Sequence, residues 1–304
     1  MDYKLGFYQS LKENERQPIK IALDKFKPSE ERLGKDLLFF NTEELIAANQ
    51  MFPAVAQYQG RINGYINKYF NYGVNAGFIE ENIAKSRIVK SELYKKDVSK
   101  IFIKSPMELS KKILEWFPTI HLGTVENQHA TILWLLFEGF DLDDIFSMRA
   151  DAVQGKVLYH NGEEHLIPAC ILPFILKTRD ERVFNVYSRE GMVVSSLHRV
   201  DNGKLIRSRN QFTRNTLTLY ANRVIKTCNT FGYSISMNSL EISGSCWETR
   251  TIEKETGILS YNIFSRRQHW ENIKLDRTVD MMRIYAKYDY ANYIRTFYPD
   301  EANK

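Results

Sequence analysis

The chain has 304 residues, 43% of them apolar, enough for two domains with cores of their own at roughly 100–200 residues per domain. Three cysteines, Cys170, Cys228 and Cys246, are too few and too scattered for a disulfide framework or a zinc knuckle. The longest apolar runs, TILWLLF and IPACILPFIL, fall short of the roughly 20 residues a membrane span needs, and the N-terminus lacks a secretory apolar stretch, so a reducing cytoplasm is the expected setting. A net charge of +5 and a pI near 8.9 permit a polyanionic partner without demanding one.

Residues 40–84 read as helices. NTEELIAANQMF opens with Asn41 or Thr42 as cap and Glu44 in the first turn. In the next segment Val55, Tyr58, Ile62, Tyr65, Ile66, Tyr69 and Phe70 recur at spacings of three and four, and Gly77 is placed to end the helix. Glycines 60, 64 and 73 weaken it, so packing has to compensate. Residues 85–104 carry seven Lys or Arg against Glu92 and Asp97 and read as a basic linker between a first domain, 1–84, and a second, 105–304.

The second domain begins with Ser105 as cap, Pro106 at the first helical position and Glu108 in the capping-box position. A helical stretch from about Asn127 to Met148 is expected to break near Gly139. Two strand-like runs flank Asn161 and Gly162, the strongest short hairpin signal in the chain. Helix returns at Asn215 and closes at Gly232. The expected fold class is mostly α with one small β-sheet, in two domains.

Two segments carry a resemblance. NKYFNYGVNAGFIEENIA is similar to the last helix and exit of the core-binding domain of tyrosine recombinases (phage integrases), although Ala84 stands where that pattern has proline. WLLFEGFDLDDIFSMRADAV resembles the family's "L-L-x-T-G-L-R-I-S-E-L-L-A-L-R-W-x-D-I": Gly139, Phe140, Leu142, Asp144, Ile145, Met148 and Arg149 fall where the pattern has G, L, I, E, L, L and its second R. MNSLEISGS threads onto the "H-D-L-R-H-T-F" box, and the interval from Gly257 to His269 matches that between the family's helix glycine and its "L-G-H" histidine. The resemblance implies a helical, DNA-binding first domain and an α-rich domain of catalytic type.

Such a site needs cations and donors aimed at phosphoryl oxygens. Here Asp141 occupies the first arginine position, Asn238 that of a histidine and Glu241 that of the second arginine, leaving His269 and a late tyrosine, Tyr285. A carboxylate in place of a cation turns attraction into repulsion of order several kcal/mol at an effective dielectric near ~20. Asp141 is equally well placed as a helix N-cap, which by itself accounts for it. Both readings imply no strand cutting, and separately no motif for a metal or a cofactor is present, so neither is expected. His160 and His165 flank the turn at a spacing that fits no metal motif.

Between Asn202 and Leu240 there is no Asp or Glu, while Lys204, Arg207, Arg209, Arg214, Arg223 and Lys226 are present. RSRNQFTRN sets three arginines among Asn210, Gln211 and Asn215 ahead of a helix start, a combination suited to phosphates and base edges. Gln59, Arg61, Asn63 and Lys68 in the first domain, and Arg87 and Lys90 in the linker, are the other expected contacts. By analogy with the resembled family, a disabled site on such a frame implies a sequence-specific regulator that binds double-stranded operator-like DNA, with room for a regulatory protein partner. The alternatives are a divergent active recombinase, with Arg149, Lys156 or Arg250 taking over missing roles, and a non-enzymatic accessory or assembly protein.

Overall fold

The computed structural model describes residues 3–118, 120, 125–181, 183–187, 192–198, 202–208, 212–268 and 276–302. In chain order the elements are α1 Tyr3–Ser10, α2 Glu13–Leu23, α3 Lys27–Leu33, α4 Thr42–Gln50, α5 Ala56–Asn75, α6 Arg87–Leu93, α7 Pro106–Trp116, α8 Glu126–Glu138 and α9 Leu142–Ser147. They continue as β1 Val153–Gln154, β2 Val157–His160, β3 Glu163–Leu166, α10 Leu172–Asp180, β4 Val183–Tyr187, β5 Val193–His198, α11 Arg214–Asn229, α12 Met237–Thr256, α13 Asn262–Arg267 and α14 Asp276–Phe297. The fold is mostly helical with small antiparallel sheets, and no helix among the described residues is long and apolar enough to cross a membrane.

The chain divides into two compact units, residues 1–98 with 277–304, and residues 99–276. Two sequence-based expectations are corrected by this division. The C-terminal helix α14 belongs to the first unit, not to a continuous second domain. Nor are residues 85–104 an open linker: α6 buries Val89 and Leu93 in the core of the first unit, and Lys96 is buried as well. The N-terminal helices α1 to α3 are hard to read from sequence because Pro18 and Pro28 interrupt their windows, yet Pro28 sits in the first turn of α3, where a missing N–H costs little.

In the first unit α5 lays Ile62, Ile66, Tyr69 and Phe70 against Phe7, Leu23, Phe26, Leu38 and Leu45. Its entry is fixed one helix earlier by the expected capping box, in which Asn41 Oδ1 accepts from the Glu44 amide at 2.9 Å and Glu44 Oε2 accepts from the Asn41 amide at 2.8 Å. The helix tolerates Gly60 because the Tyr285 ring of α14 lies there; a Cβ would come within 2.6 Å of the phenol oxygen. α14 is held through polar groups. Asp289 accepts from the Ala56 amide at 2.8 Å, Asn292 accepts from the Lys96 amide at 3.1 Å and donates to the Tyr94 carbonyl at 2.8 Å, and Tyr288 stacks on Tyr94 with centroids 4.2 Å apart.

The second unit is built around α8, whose residues 130–137 are all buried. A helix apolar all round has to be enclosed, and α10, α11 and α12 pack on it. α12 crosses at a point where only glycine fits: a Cβ on Gly244 would stand 1.7 Å from the Phe137 carbonyl oxygen. Gly139, at φ 97°, then ends α8, and α9 comes next. The hairpin turns on Asn161 (φ 50°) and Gly162 (φ 82°), both left-handed as a two-residue type I′ turn requires. β1, β2 and β3 form one antiparallel sheet, with Leu158 opposite His165 and His160 opposite Glu163. A second, two-stranded sheet of β4 and β5 is present where a single sheet was expected.

The packing generates two stability predictions. Gly244→Ala should lower unfolding free energy by about 3 kcal/mol or prevent folding, because the added methyl meets backbone rather than a side chain that can rotate away. Asp289 is buried, which pushes its carboxyl up to about 8 against the pull of the Ala56 amide. A folded-state value raised above the unfolded one gives stability that is present at low pH and lost as pH climbs from about 4 through about 8. Asp289→Asn keeps an acceptor for Ala56 without titrating, so denaturant melts should find it more stable than the parent at pH 8 and level with it near pH 4.

Candidate functional site

The elbow between α8 and α9 is the segment in which the sequence places its strongest motif. Asp141 is the N-cap of α9: its Oδ1 accepts from the amides of Asp143 and Asp144 at 2.7 and 2.8 Å. Asp141 thus serves as the expected cap, with its Oδ1 engaged by two backbone donors. Asp143 is held below the usual carboxylate range by the Arg214 guanidinium, whose Nε donates to it at 2.5 Å. Asp144 accepts from His160 Nε2 at 3.0 Å and from Asn161 Nδ2 at 3.4 Å, tying the hairpin turn to the elbow.

A cleft of about 250 Å³ opens beside this elbow, lined by Glu138, Phe140, Asp144, His160, Glu163 and His165, with Arg266 and Arg267 on the α13 side. The two imidazoles meet the Phe140 ring edge to face, at 5.4 and 4.7 Å between centroids. His165 also stands 3.7 Å from Glu138 and 3.8 Å from Glu163. Arg267 is buried; it donates to the Phe137 carbonyl at 2.7 Å and pairs with Glu248, which Arg266 also reaches at 2.8 Å.

Several residues expected at DNA are occupied elsewhere. Arg207 is 1% exposed, and its guanidinium donates to the carbonyls of Thr178, Arg179 and Glu181 at 3.1, 3.0 and 3.3 Å. It closes the C-terminal end of α10, where a cation is favoured by the helix dipole. Gln128 of α8 clamps its backbone in both directions, at 3.1 and 2.9 Å. Gln59 is fully buried and donates to Asn49 and Asn63, so neither amide of that pair presents a groove-facing edge as expected. Lys68 pairs with Glu15 at 2.8 Å, and Arg214 is compensated by Asp143.

Arg61, Arg87, Lys90 and Lys226 are exposed, as their expected role requires. Asn238 is exposed in the first turn of α12 and Glu241 is half-buried one turn on. Tyr285 packs on α5 in the first unit. Arg209, Asn210, Gln211 and His269 lie outside the described residues.

One arrangement in this region is missing from the sequence-based expectations. On α11 the exposed positions are Asn215, Leu219, Asn222, Arg223 and Lys226, a single stripe at spacings of three and four. The opposite face buries Leu217, Ala221, Val224 and Cys228, and the burial pushes the Cys228 thiol up to about 12. α11 holds no acidic residue, and Leu219, 66% exposed, is its one large apolar side chain turned outward. The helical period is legible in the sequence, but the arginine-rich loop just ahead of the helix is the stronger charge signal and masks the outward stripe.

No family model matches the chain, and no curated protein matches it. Among solved structures the chain is similar to a lambda integrase dimer bound to a COC' core site, with 14% identity, 92% of this chain and 74% of that chain covered, and a TM-score of 0.33. It is also similar to the lambda integrase(75-356) dimer on the same core site, with 14% identity, 92% of both chains covered and a TM-score of 0.32. The lambda integrase (residues 75-356) bound to DNA gives 12% identity, 90% and 96% coverage and a TM-score of 0.32.

The buried position of Arg207 sets a test of its role. Arg207→Ala should cost about 3 kcal/mol or more, since it strands three carbonyls, and Arg207→Lys should not restore it because one ammonium cannot span the same fork. Chemical denaturation of the three proteins reads this directly; near-parental stability of the alanine variant would show the guanidinium to be dispensable.

Proposed function

We propose that this protein binds double-stranded DNA on a frame of the tyrosine-recombinase type and does not cut it, acting as a sequence-specific regulator. The observation that carries the reading is the outward stripe of α11. Asn215, Asn222, Arg223 and Lys226 surround one apolar side chain on a helix free of carboxylates. Asn and Arg make paired hydrogen bonds to base edges, Lys and Arg take phosphates, and an apolar side chain suits a thymine methyl. In the first unit Gln57, Arg61 and Gly64 form a second exposed stripe on α5, opposite its buried face, next to Lys68 in its pair with Glu15.

Loss of cutting is supported by Asp141, whose carboxylate caps α9 where the resembled motif has arginine, and by the seat of Tyr285 against Gly60. A regulator on this plan fits the role of a repressor that keeps a prophage silent, of the kind known from SPbeta-type Bacillus phages. Its setting is then the bacterial cytoplasm, with operator-like DNA as partner and a further protein as the means of relief. The capping role of Asp141 and the outward stripe of α11 support this over an active recombinase or an assembly protein.

Selection of bound fragments from sheared phage and host DNA, with affinity measurements on the enriched site, tests the reading. Arg223→Ala with Lys226→Ala should weaken binding by about 10-fold or more and flatten the dependence of log K on log salt by roughly one to two. A nicked suicide substrate should yield no covalent protein–DNA adduct. Unchanged affinity in the double variant removes the assigned face; an adduct lost in Tyr285→Phe overturns the non-cutting half.

A further inference from the structure

The outward face of α14 differs in charge from other faces of the first unit, where Lys4, Lys35, Lys68 and Lys95 are each drawn to a glutamate. From Arg283 to the end of the helix the exposed positions are Arg283, Ile284, Lys287, Ala291 and Arg295, one stripe at spacings of three and four. Lys287 makes no ion pair among the described residues, and Arg295 donates to a neutral acceptor, Asn292 Oδ1, at 3.0 Å. Arg283 reaches Asp280 at 3.4 Å, but these side chains are 62% and 69% exposed, a pair that water and salt screen. Between Met281 and Pro299 the one acidic residue is Asp289. Burial pushes its carboxyl up to about 8, so it does not offset the stripe at neutral pH.

Lys287, Ala291 and Arg295 follow one another at every fourth residue, which sets the two cations about 12 Å apart at ~1.5 Å per residue. Only a methyl group stands between them, so a sugar–phosphate strand has room to approach the helix while both long side chains reach its oxygens. The helix itself is held firmly. Its other face buries Ala286, Tyr290 and Tyr293, and Asp289 and Asn292 tie it to Ala56 and Tyr94. Cations on a fixed helix lose less freedom on binding than cations on a tail. We propose that the outward face of α14 is a further DNA-binding surface of the first unit, taking backbone phosphates of a duplex independently of sequence. The proposal rests on the DNA-binding reading, but it uses none of the α11 or α5 residues.

Fluorescence anisotropy of the full chain across a range of salt tests it, on the enriched fragment and on unrelated duplex of the same length. Lys287→Ala with Arg295→Ala should weaken binding to both by about 10-fold and flatten the dependence of log K on log salt by roughly two. Asp280→Asn, which frees Arg283, should tighten both by about twofold. Lys12→Ala with Lys20→Ala removes the same charge at α2 and should change affinity by less than about twofold. All these positions are exposed, and thermal melts matching the parent serve as the folding control. Parental affinity and salt slope in the α14 double variant overturn the proposal and leave the DNA-binding reading standing, as does an equal loss from the α2 pair. Loss of self-association in the α14 variant at unchanged DNA affinity assigns the face to a second copy, which also overturns it. A parent that retains neither DNA removes both readings together.

Discussion

The arrangement of the second unit turns on one close approach, that of Gly244 on α12 to the carbonyl of Phe137 on α8. A helix as apolar as α8 leaves no solvent-facing side, so its neighbours must come in tightly, and glycine at the crossing lets the backbones meet. The same carbonyl lies in the last turn of α8, where backbone acceptors lack helical partners, and it receives the Arg267 guanidinium. Arg267 in turn lies over Gly139, where a Cβ would come within 2.9 Å of its Cγ. One contact therefore fixes the end of α8, the position of α13 and the start of the elbow.

Beyond the elbow the organising forces are electrostatic. The three aspartates at its start are each engaged differently: Asp141 with the amides of α9, Asp143 with Arg214 at the head of α11, and Asp144 with the hairpin through His160. The three aspartates thus form a bracket joining three elements of the fold. On the exposed stripe of α11, Arg223 and Lys226 face solvent without carboxylates beside them on that helix. Holding charge on a rigid helix suits recognition, because side chains on a packed helix lose less freedom on binding than those on a loop.

Much of this is legible in the sequence where local rules dominate. The capping box at Asn41, the Ser105–Pro106 start, the break at Gly139 and the Asn161–Gly162 turn are all set by residues within four positions of one another. The features that sequence reasoning misses depend on distant partners. Arg207 reads as a DNA ligand in a basic run, yet the acceptors that bury it come from residues 178–181, far off in sequence. Gln59 is expected at DNA only from the resemblance of its helix to a groove-facing one, but Asn49 and Asn63 make it part of a buried network. The return of α14 to the first unit rests on Asp289 and Asn292 meeting backbone more than 190 residues away. No periodicity announces such pairings.

The most direct test of the central claim is placement of α11 against DNA. A photoreactive side chain introduced at Asn222, irradiated on the enriched DNA fragment, should form a protein–DNA crosslink, while one introduced at Tyr159 on the hairpin's exposed side serves as the comparison. Efficient crosslinking from 222 at discrete bases is the predicted result. Retention of the fragment with no crosslink from 222 would place the DNA elsewhere and contradict the account.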